Sequence, residues 1–249
     1  MPTSDLKSSE DFWDVREELS LIQEQSWQRI AQPGIWWTGR ERVAIVAEAR
    51  QAMSCKLCQN RKAALSPYDT DGLHNNLRQL PDPAIEAIHR IRTDAGRLKE
   101  SWYQGLLALG LSDAHYVELV AVVSAVAALD TFNRGLGRPL QELPKPVEGK
   151  PSRRRPAGAR RAIAWMPTLQ PEDIAVDDYN PYSDEYEPFN IHMALSLVPE
   201  EAEAFRHLDE ANYLPQMAIR DLDTEYRAIT HVQMELLAAR VSSLNQCFY

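Results

Sequence analysis

The chain has 249 residues, with 27 Lys and Arg against 36 Asp and Glu, a formal net charge of −9 and a hydrophobic fraction of 44%. The apolar content excludes disorder of the whole chain, and the acidic balance argues against nucleic acid or anionic membrane as partners, since both need a basic footprint. The longest apolar-rich run, Tyr116 to Leu129, falls short of the ~20 residues that span a bilayer and is interrupted by Glu118 and Ser124.

Residues 1–11 carry Asp5, Lys7 and Glu10 and no continuous apolar stretch, so no secretory segment is expected and the default address is cytoplasmic. Phe12, Val15, Leu19 and Ile22 then recur at steps of three and four among acidic residues, which predicts an amphipathic helix stopped by Gln32-Pro33-Gly34. A second helix is predicted from about Arg40 to Leu65, with Val43, Val46, Met53 and Leu57 inward, and it carries the pair Cys55-Lys-Leu-Cys58. Ile85, Ile88, Ile91 and Leu98 mark a third helical stripe after a polar loop. Ser112 and Asp113 supply an N-cap and a first-turn acid for a fourth helix, with Tyr116, Leu119, Val120, Val123 and Ala127 on one face.

Between Pro139 and Pro181 prolines concentrate and Arg153-Arg-Arg155 and Arg160-Arg161 appear, the composition of a linker whose basic cluster docks on acidic surface. Beyond it, residues 190–197, 199–213 and 230–249 read as helices. Alternating Val-rich segments with hairpin turns are missing, so the fold class is all-α. The expected organisation is an N-terminal helical domain over 1–142, a Pro/Arg-rich linker over 143–180 and a C-terminal helical domain over 181–249.

The segment from Tyr116 to Asn133 aligns with that from Gln233 to Tyr249: each places a Glu on an apolar helix and a polar or reactive residue twelve positions on. Glu118 stands over Glu235 and Asp130 over Cys247, which reads as two copies of one helical unit. Glu-x11-Cys in an Ala/Val-rich helix resembles the alkylhydroperoxidase D and carboxymuconolactone decarboxylase superfamily, whose redox members have Glu-x11-Cys-x-x-Cys-x-x-x-His. The early Cys-x-x-Cys-x-x-x-Lys, the Gly-Leu-Ser-Asp-x-x-Tyr-Val-Glu segment and the terminal Glu-Leu-Leu-Ala-Ala-Arg-Val-Ser-Ser-Leu-Asn-Gln-Cys-Phe-Tyr resemble its two-domain peroxidase-related members.

The resemblance implies two repeated all-helical units, a homo-oligomer, and reduction of a small-molecule peroxide with a thiol reductant or reductant protein. The first copy departs from the motif, with Asp130 and Asn133 at the cysteine positions and Gly137 at that of the His, so it is expected to be degenerate. The sequence stops at Tyr249, one position before the second cysteine of the motif. A truncated chain, a shortened one, or a UGA selenocysteine codon read as stop would each produce that end.

In this reading Cys247 attacks the peroxide, Glu235 accepts the thiol's proton and His231, one turn before it, carries protons. Twelve residues at about 100° each leave Glu235 and Cys247 about 120° apart on an unbroken helix. A break at Ser242-Ser243-Leu244-Asn245 is therefore expected, with Asn245 as the N-cap of a further helix and Cys247 in its first turn. Cys55 and Cys58 share one helical face and read as a redox pair, a structural pair or a zinc half-site. The spacing of His74 and His89, the nearest histidines, matches no standard zinc pattern, so the expectation is a second redox pair and no metal. No phosphate-binding glycine motif occurs, and no cofactor is expected. A decarboxylase-like enzyme without thiol chemistry and an inactive oligomerising or partner-binding protein are the alternatives.

Overall fold

Residues 15–182, 188–245 and 247 are described by the computed structural model of the chain. They form ten α-helices: α1 (Glu17–Ala31), α2 (Gly39–Ala52), α3 (Lys56–Ala63), α4 (Asp82–Asp94), α5 (Glu100–Ala108), α6 (Asp113–Gly135), α7 (Asn190–Met193), α8 (Pro199–Asn212), α9 (Gln216–Arg220) and α10 (His231–Leu244). Among the described residues no β-strand forms, and one isolated antiparallel bridge joins Arg160 to Thr168. The all-α expectation holds for these residues; Phe12, on the first predicted stripe, lies outside them.

The apolar run around Val117 builds the centre of the fold. Ser112 caps α6 by accepting the His115 backbone N–H at 3.2 Å, and the helix buries Val117, Leu119, Val122, Val123, Val126 and Leu129. Facing it are Ile45, Val46 and Ala49 of α2 and Ala84, Ile85, Ala87 and Ile88 of α4, so α2, α4 and α6 pack mutually as a three-helix layer. By length and composition α6 could cross a bilayer, but 56% of its apolar window is buried within the protein. Predicted as one-faced, α6 is apolar nearly all round, as befits a helix enclosed by neighbours.

On the other side, α1 and α8 pack on each other and on α6, and Leu197, Val198 and Leu208 join the same core. A smaller cluster of Leu214, Ala218 and Met234 ties α9 to α10. The remainder of α10 exposes Val232, Leu236, Leu237, Val241 and Leu244.

Residues 138–167, most of them in the segment expected to be a linker, form no helix, yet they are fastened along their length. Trp27 Nε1 donates to the Glu142 carbonyl at 3.1 Å and Arg50 to that of Gln141 at 2.8 Å. Backbone N–H groups of Val147 and Arg153 reach the carbonyls of Ala31 and Ile35 at 2.9 and 2.8 Å. Arg155 forks onto Asp113 at 2.8 and 2.9 Å, Arg160 meets Asp173 and Arg161 meets Glu100. The basic cluster thus docks on acidic side chains, as its composition suggested.

Several boundaries differ from expectation: α4 ends before Leu98, α7 stops at Met193, and α5 and α9 are additional helices. The helix predicted over 40–65 is two helices, α2 and α3, separated by Met53-Ser54-Cys55. Ser54 Oγ turns back to the Gln51 carbonyl at 3.0 Å and Cys55 is extended, with φ −68° and ψ 122°, so a side chain competes with the helical ladder. The break expected at Ser242-Ser243-Leu244 is not there: α10 runs unbroken to Leu244, and Asn245 is its C-cap.

Candidate metal centre

The α2–α3 break decides where the two early cysteines point. Cys55 becomes the N-cap of α3 and Cys58 lies in its first turn, both buried. The chain then passes through a short 3-10 turn, Pro67–Asp69, into an extended stretch that lays His74 over the sulfurs, while α4 brings up His89 from below. His74 Nδ1 lies 3.5 Å from Cys55 Sγ and 3.6 Å from Cys58 Sγ. His89 Nδ1 lies 3.2 Å from Cys58 Sγ. The four donor atoms all fall within 4.8 Å of one another, and the two imidazoles sit 4.0 Å apart at 42°.

Both rings present Nδ1 inward and give Nε2 to a carboxylate. His74 Nε2 meets Glu86 Oε2 at 2.7 Å, and His89 Nε2 meets Glu48 Oε1 at 2.8 Å. Each carboxylate is itself held. Glu86 accepts Arg61 at 3.0 and 3.2 Å and the Trp102 indole N–H at 3.1 Å; Glu48 Oε2 accepts the Leu77 backbone N–H at 2.9 Å. Arg61 Nε also ties the Thr70 carbonyl at 3.2 Å.

The electrostatics follow from this packing. Burial alone would push the Cys55 thiol up, but donors from Cys58 N–H, His74 and Asn75 N–H bring it down to about 7. Burial opposes charge on His74, yet hydrogen bonds to Cys58, Glu86 and Cys55 raise it to about 10. Glu86, against the effect of burial, is lowered to about 2 by His74 and Arg61. Burial lowers His89, with Glu48 pulling the other way. The cluster therefore favours a proton on His74 and disfavours one on His89.

A tetrahedral zinc ion with Zn–S of about 2.3 Å and Zn–N of about 2.05 Å would set each sulfur and nitrogen roughly 3.6 Å apart. Three of the four sulfur–nitrogen pairs, at 3.2–3.6 Å, lie near that edge length. Two cysteine sulfurs and two imidazoles, each imidazole steered by a carboxylate on its far nitrogen, are a donor set that could close around such an ion. The sequence reading left His74 and His89 apart from the two cysteines on their spacing; the fold brings all four together. Standard spacings assume ligands from one local hairpin, whereas here they come from α3, a loop and α4.

The residues expected to react lie elsewhere. Glu235 sits in the second turn of α10, accepts the Tyr213 hydroxyl and lies 3.5 Å from His231 Nε2. His231 is buried, and neither of its ring nitrogens has a hydrogen-bond partner. Cys247 is exposed and not in a disulfide, and its backbone N–H reaches the Ser242 carbonyl at 2.9 Å beyond the carbonyl end of α10. About 10 Å of helical rise separates Glu235 from Ser242, so the chain brings His231 and Glu235 together and leaves Cys247 at the other end. Ser242 and Ser243 stay within the helical ladder, and the further helix expected to begin at Asn245 falls mostly on residues outside the described ones.

In α6, Glu118 is fully buried. It bonds Arg42 at 2.6 Å and the Trp36 N–H at 2.6 Å, and Arg42 also bonds Glu201 at 2.8 Å. Burial and the Glu201 charge raise the Glu118 carboxyl against Arg42. Asp130 is forked by Arg50 at 2.7 and 3.0 Å, and Asn133 bonds back to the Leu129 carbonyl at 3.0 Å. These side chains join helices of the core.

Comparison with protein-family models, curated proteins and solved structures finds no match to this chain.

Proposed function

We propose that this chain is a metal-binding helical protein in which Cys55, Cys58, His74 and His89 hold one Zn²⁺ as a closed structural centre. The observation that carries this is the convergence of four donor atoms within 4.8 Å, with Glu48 and Glu86 fixing both imidazoles Nδ1-inward. Four protein ligands leave no open coordination position for substrate, so the ion works on the fold. It ties α3 and α4 to the extended stretch around His74, and through Glu48 to α2. Elemental analysis of the purified protein tests this: one equivalent of zinc is expected, lost in Cys58→Ser. Metal below a tenth of an equivalent after purification and zinc loading overturns it.

A thiol-dependent peroxidase is the second reading, favoured by the Cys55 thiol at about 7 beside His74. In the metal-free chain the Cys55 thiolate attacks a hydroperoxide oxygen and expels the alkoxide, which takes a proton. The sulfenic acid then condenses with the Cys58 thiol, releasing water and leaving a disulfide for a thiol reductant to open. Peroxide consumption that rises on chelation favours this reading over the zinc clasp. The two-unit repeat belongs with it, its first copy turned into an ion-paired core helix and its second keeping Glu235 and Cys247 outside. So does a homo-oligomer covering the exposed leucines of α10.

A further inference from the structure

Between α7, α8 and α9 lies a cavity of about 260 Å³, separate from the cysteine–histidine centre. Leu195, Phe205, Leu214 and Ile219 supply its apolar wall. Interiors are packed to crystal density, and apolar cavities of roughly 150 Å³ already take a benzene-sized molecule. A void of this size, apolar with a few polar groups, has the character of a ligand site.

Most of its polar wall groups are committed to one another. The Tyr182 hydroxyl donates to the Leu169 carbonyl and the Tyr213 hydroxyl to Glu235. His192 accepts the Phe189 N–H at 2.9 Å and is hydrogen-bonded to Gln216, and burial lowers its pKa from 6.5, which leaves the ring uncharged in neutral solution. Arg206 bonds both carboxylate oxygens of Glu210 at 3.2 Å, so those two charges cancel; its Nε is sealed from solvent and offers nothing to a ligand. Asp209 is what remains. It lines the cavity and is exposed, and among the described residues no donor is bonded to its carboxylate. Burial by the surrounding wall and the Glu210 charge both disfavour its ionised form, and its own charge is felt at the Tyr213 hydroxyl, on the same wall. One carboxylate of the cavity therefore lacks a counter-charge. An anion is repelled by it and a neutral molecule leaves it as it is, whereas an ammonium group brings the missing cation and its hydrogen-bond donors together.

We propose that this cavity binds a singly charged amine with an apolar body, its ammonium group donating to the Asp209 carboxylate. The apolar body fills the space between Phe205, Leu195 and Ile219, and the ammonium offsets the charge that Arg206, already paired with Glu210, leaves unmatched.

Calorimetric titration of the full chain at low salt tests this, with phenethylamine as probe and phenylpropanoate and phenethyl alcohol as its anionic and neutral counterparts. Saturable binding of phenethylamine is expected, with both counterparts about tenfold weaker or more. Asp209→Asn keeps the shape and removes the charge at an exposed position; it should weaken the amine about tenfold and leave phenethyl alcohol unchanged. Ile191→Trp, at an exposed wall position where a larger side chain is tolerated, should abolish amine binding with the circular dichroism unchanged, which separates a molecule seated in the cavity from a cation resting on the carboxylate outside it. No saturable binding, a counterpart bound as tightly as the amine, or full amine affinity in either variant overturns the proposal. Zinc content does not enter these readouts, so failure here leaves the metal reading untouched.

Discussion

His89 and Glu48 meet at 2.8 Å with neither side chain exposed to solvent. The same carboxylate holds the Leu77 N–H at 2.9 Å, so one buried glutamate orients a ring of the candidate centre and pins the loop that carries His74. Glu48→Gln keeps the shape and removes the charge. Metal affinity, measured by competition with a chromogenic chelator, should fall 10–100-fold, whereas unchanged affinity would detach Glu48 from the site.

Removal of the ion should be felt in stability. A ligand present at a thousand times its Kd adds about 4 kcal/mol to the folded state. Stripping the protein with a strong chelator should lower its melting temperature by several degrees and open residues 64–81 to protease, with recovery on adding zinc. Cys247→Ser, at an exposed position, should leave both metal content and melting temperature within about 0.5 kcal/mol of the parent.

The His74–Glu86 pair gives the metal-free protein a pH signature. His74, raised from 6.5 to about 10, contributes stability that is complete below pH 6.5 and lost as pH climbs toward 10. Glu86, lowered from 4.5 to about 2, contributes stability present above pH 4.5 and lost as pH falls toward 2. Melting of the stripped protein should therefore weaken above pH 6.5. In the loaded protein the ion stands where the His74 proton was, and that alkaline loss should vanish. Parallel alkaline profiles with and without zinc would argue that the ion binds elsewhere.

Arg42 holds two buried carboxylates, Glu118 at 2.6 Å and Glu201 at 2.8 Å. Arg42→Met leaves Glu118 without its cation and Glu201 with Arg29 alone, and should cost about 3–5 kcal/mol in urea denaturation. Gly34→Ala should also destabilise, since a Cβ there would stand 1.7 Å from Glu118 Oε1. A loss below 1 kcal/mol in Arg42→Met would mean that Glu118 is protonated and needs no counter-charge.

Much of the helical fold was legible because apolar periodicity is local: Ile85 and Ile88 sit on the buried stripe of α4 as spacing predicts. The α2–α3 break was not, since Met53 and Leu57 continue the apolar rhythm across a turn whose cause is the Ser54 side chain. Cys55 and Cys58 declared themselves by spacing. Their partners did not, lying 16 and 31 positions beyond Cys58, and the carboxylates lie 12 and 41 positions from their histidines. Tertiary packing alone joins such residues. Asn245 closes α10 where the sequence suggests the start of a further helix.

The stretch from Arg138 to Pro167 illustrates a separation between shape and order. It has no repeating backbone hydrogen bonds of its own, and by composition it looks like open chain. Its carbonyls and N–H groups are nevertheless taken up by Trp27, Arg50, Ala31 and Ile35, and Arg155 is locked to the first turn of α6. A protease needs several consecutive residues that can lift into its cleft, and here each lift must break a bond to another element. The proline-rich segment should thus behave in digestion as part of the wall of the protein, with the first cuts falling elsewhere.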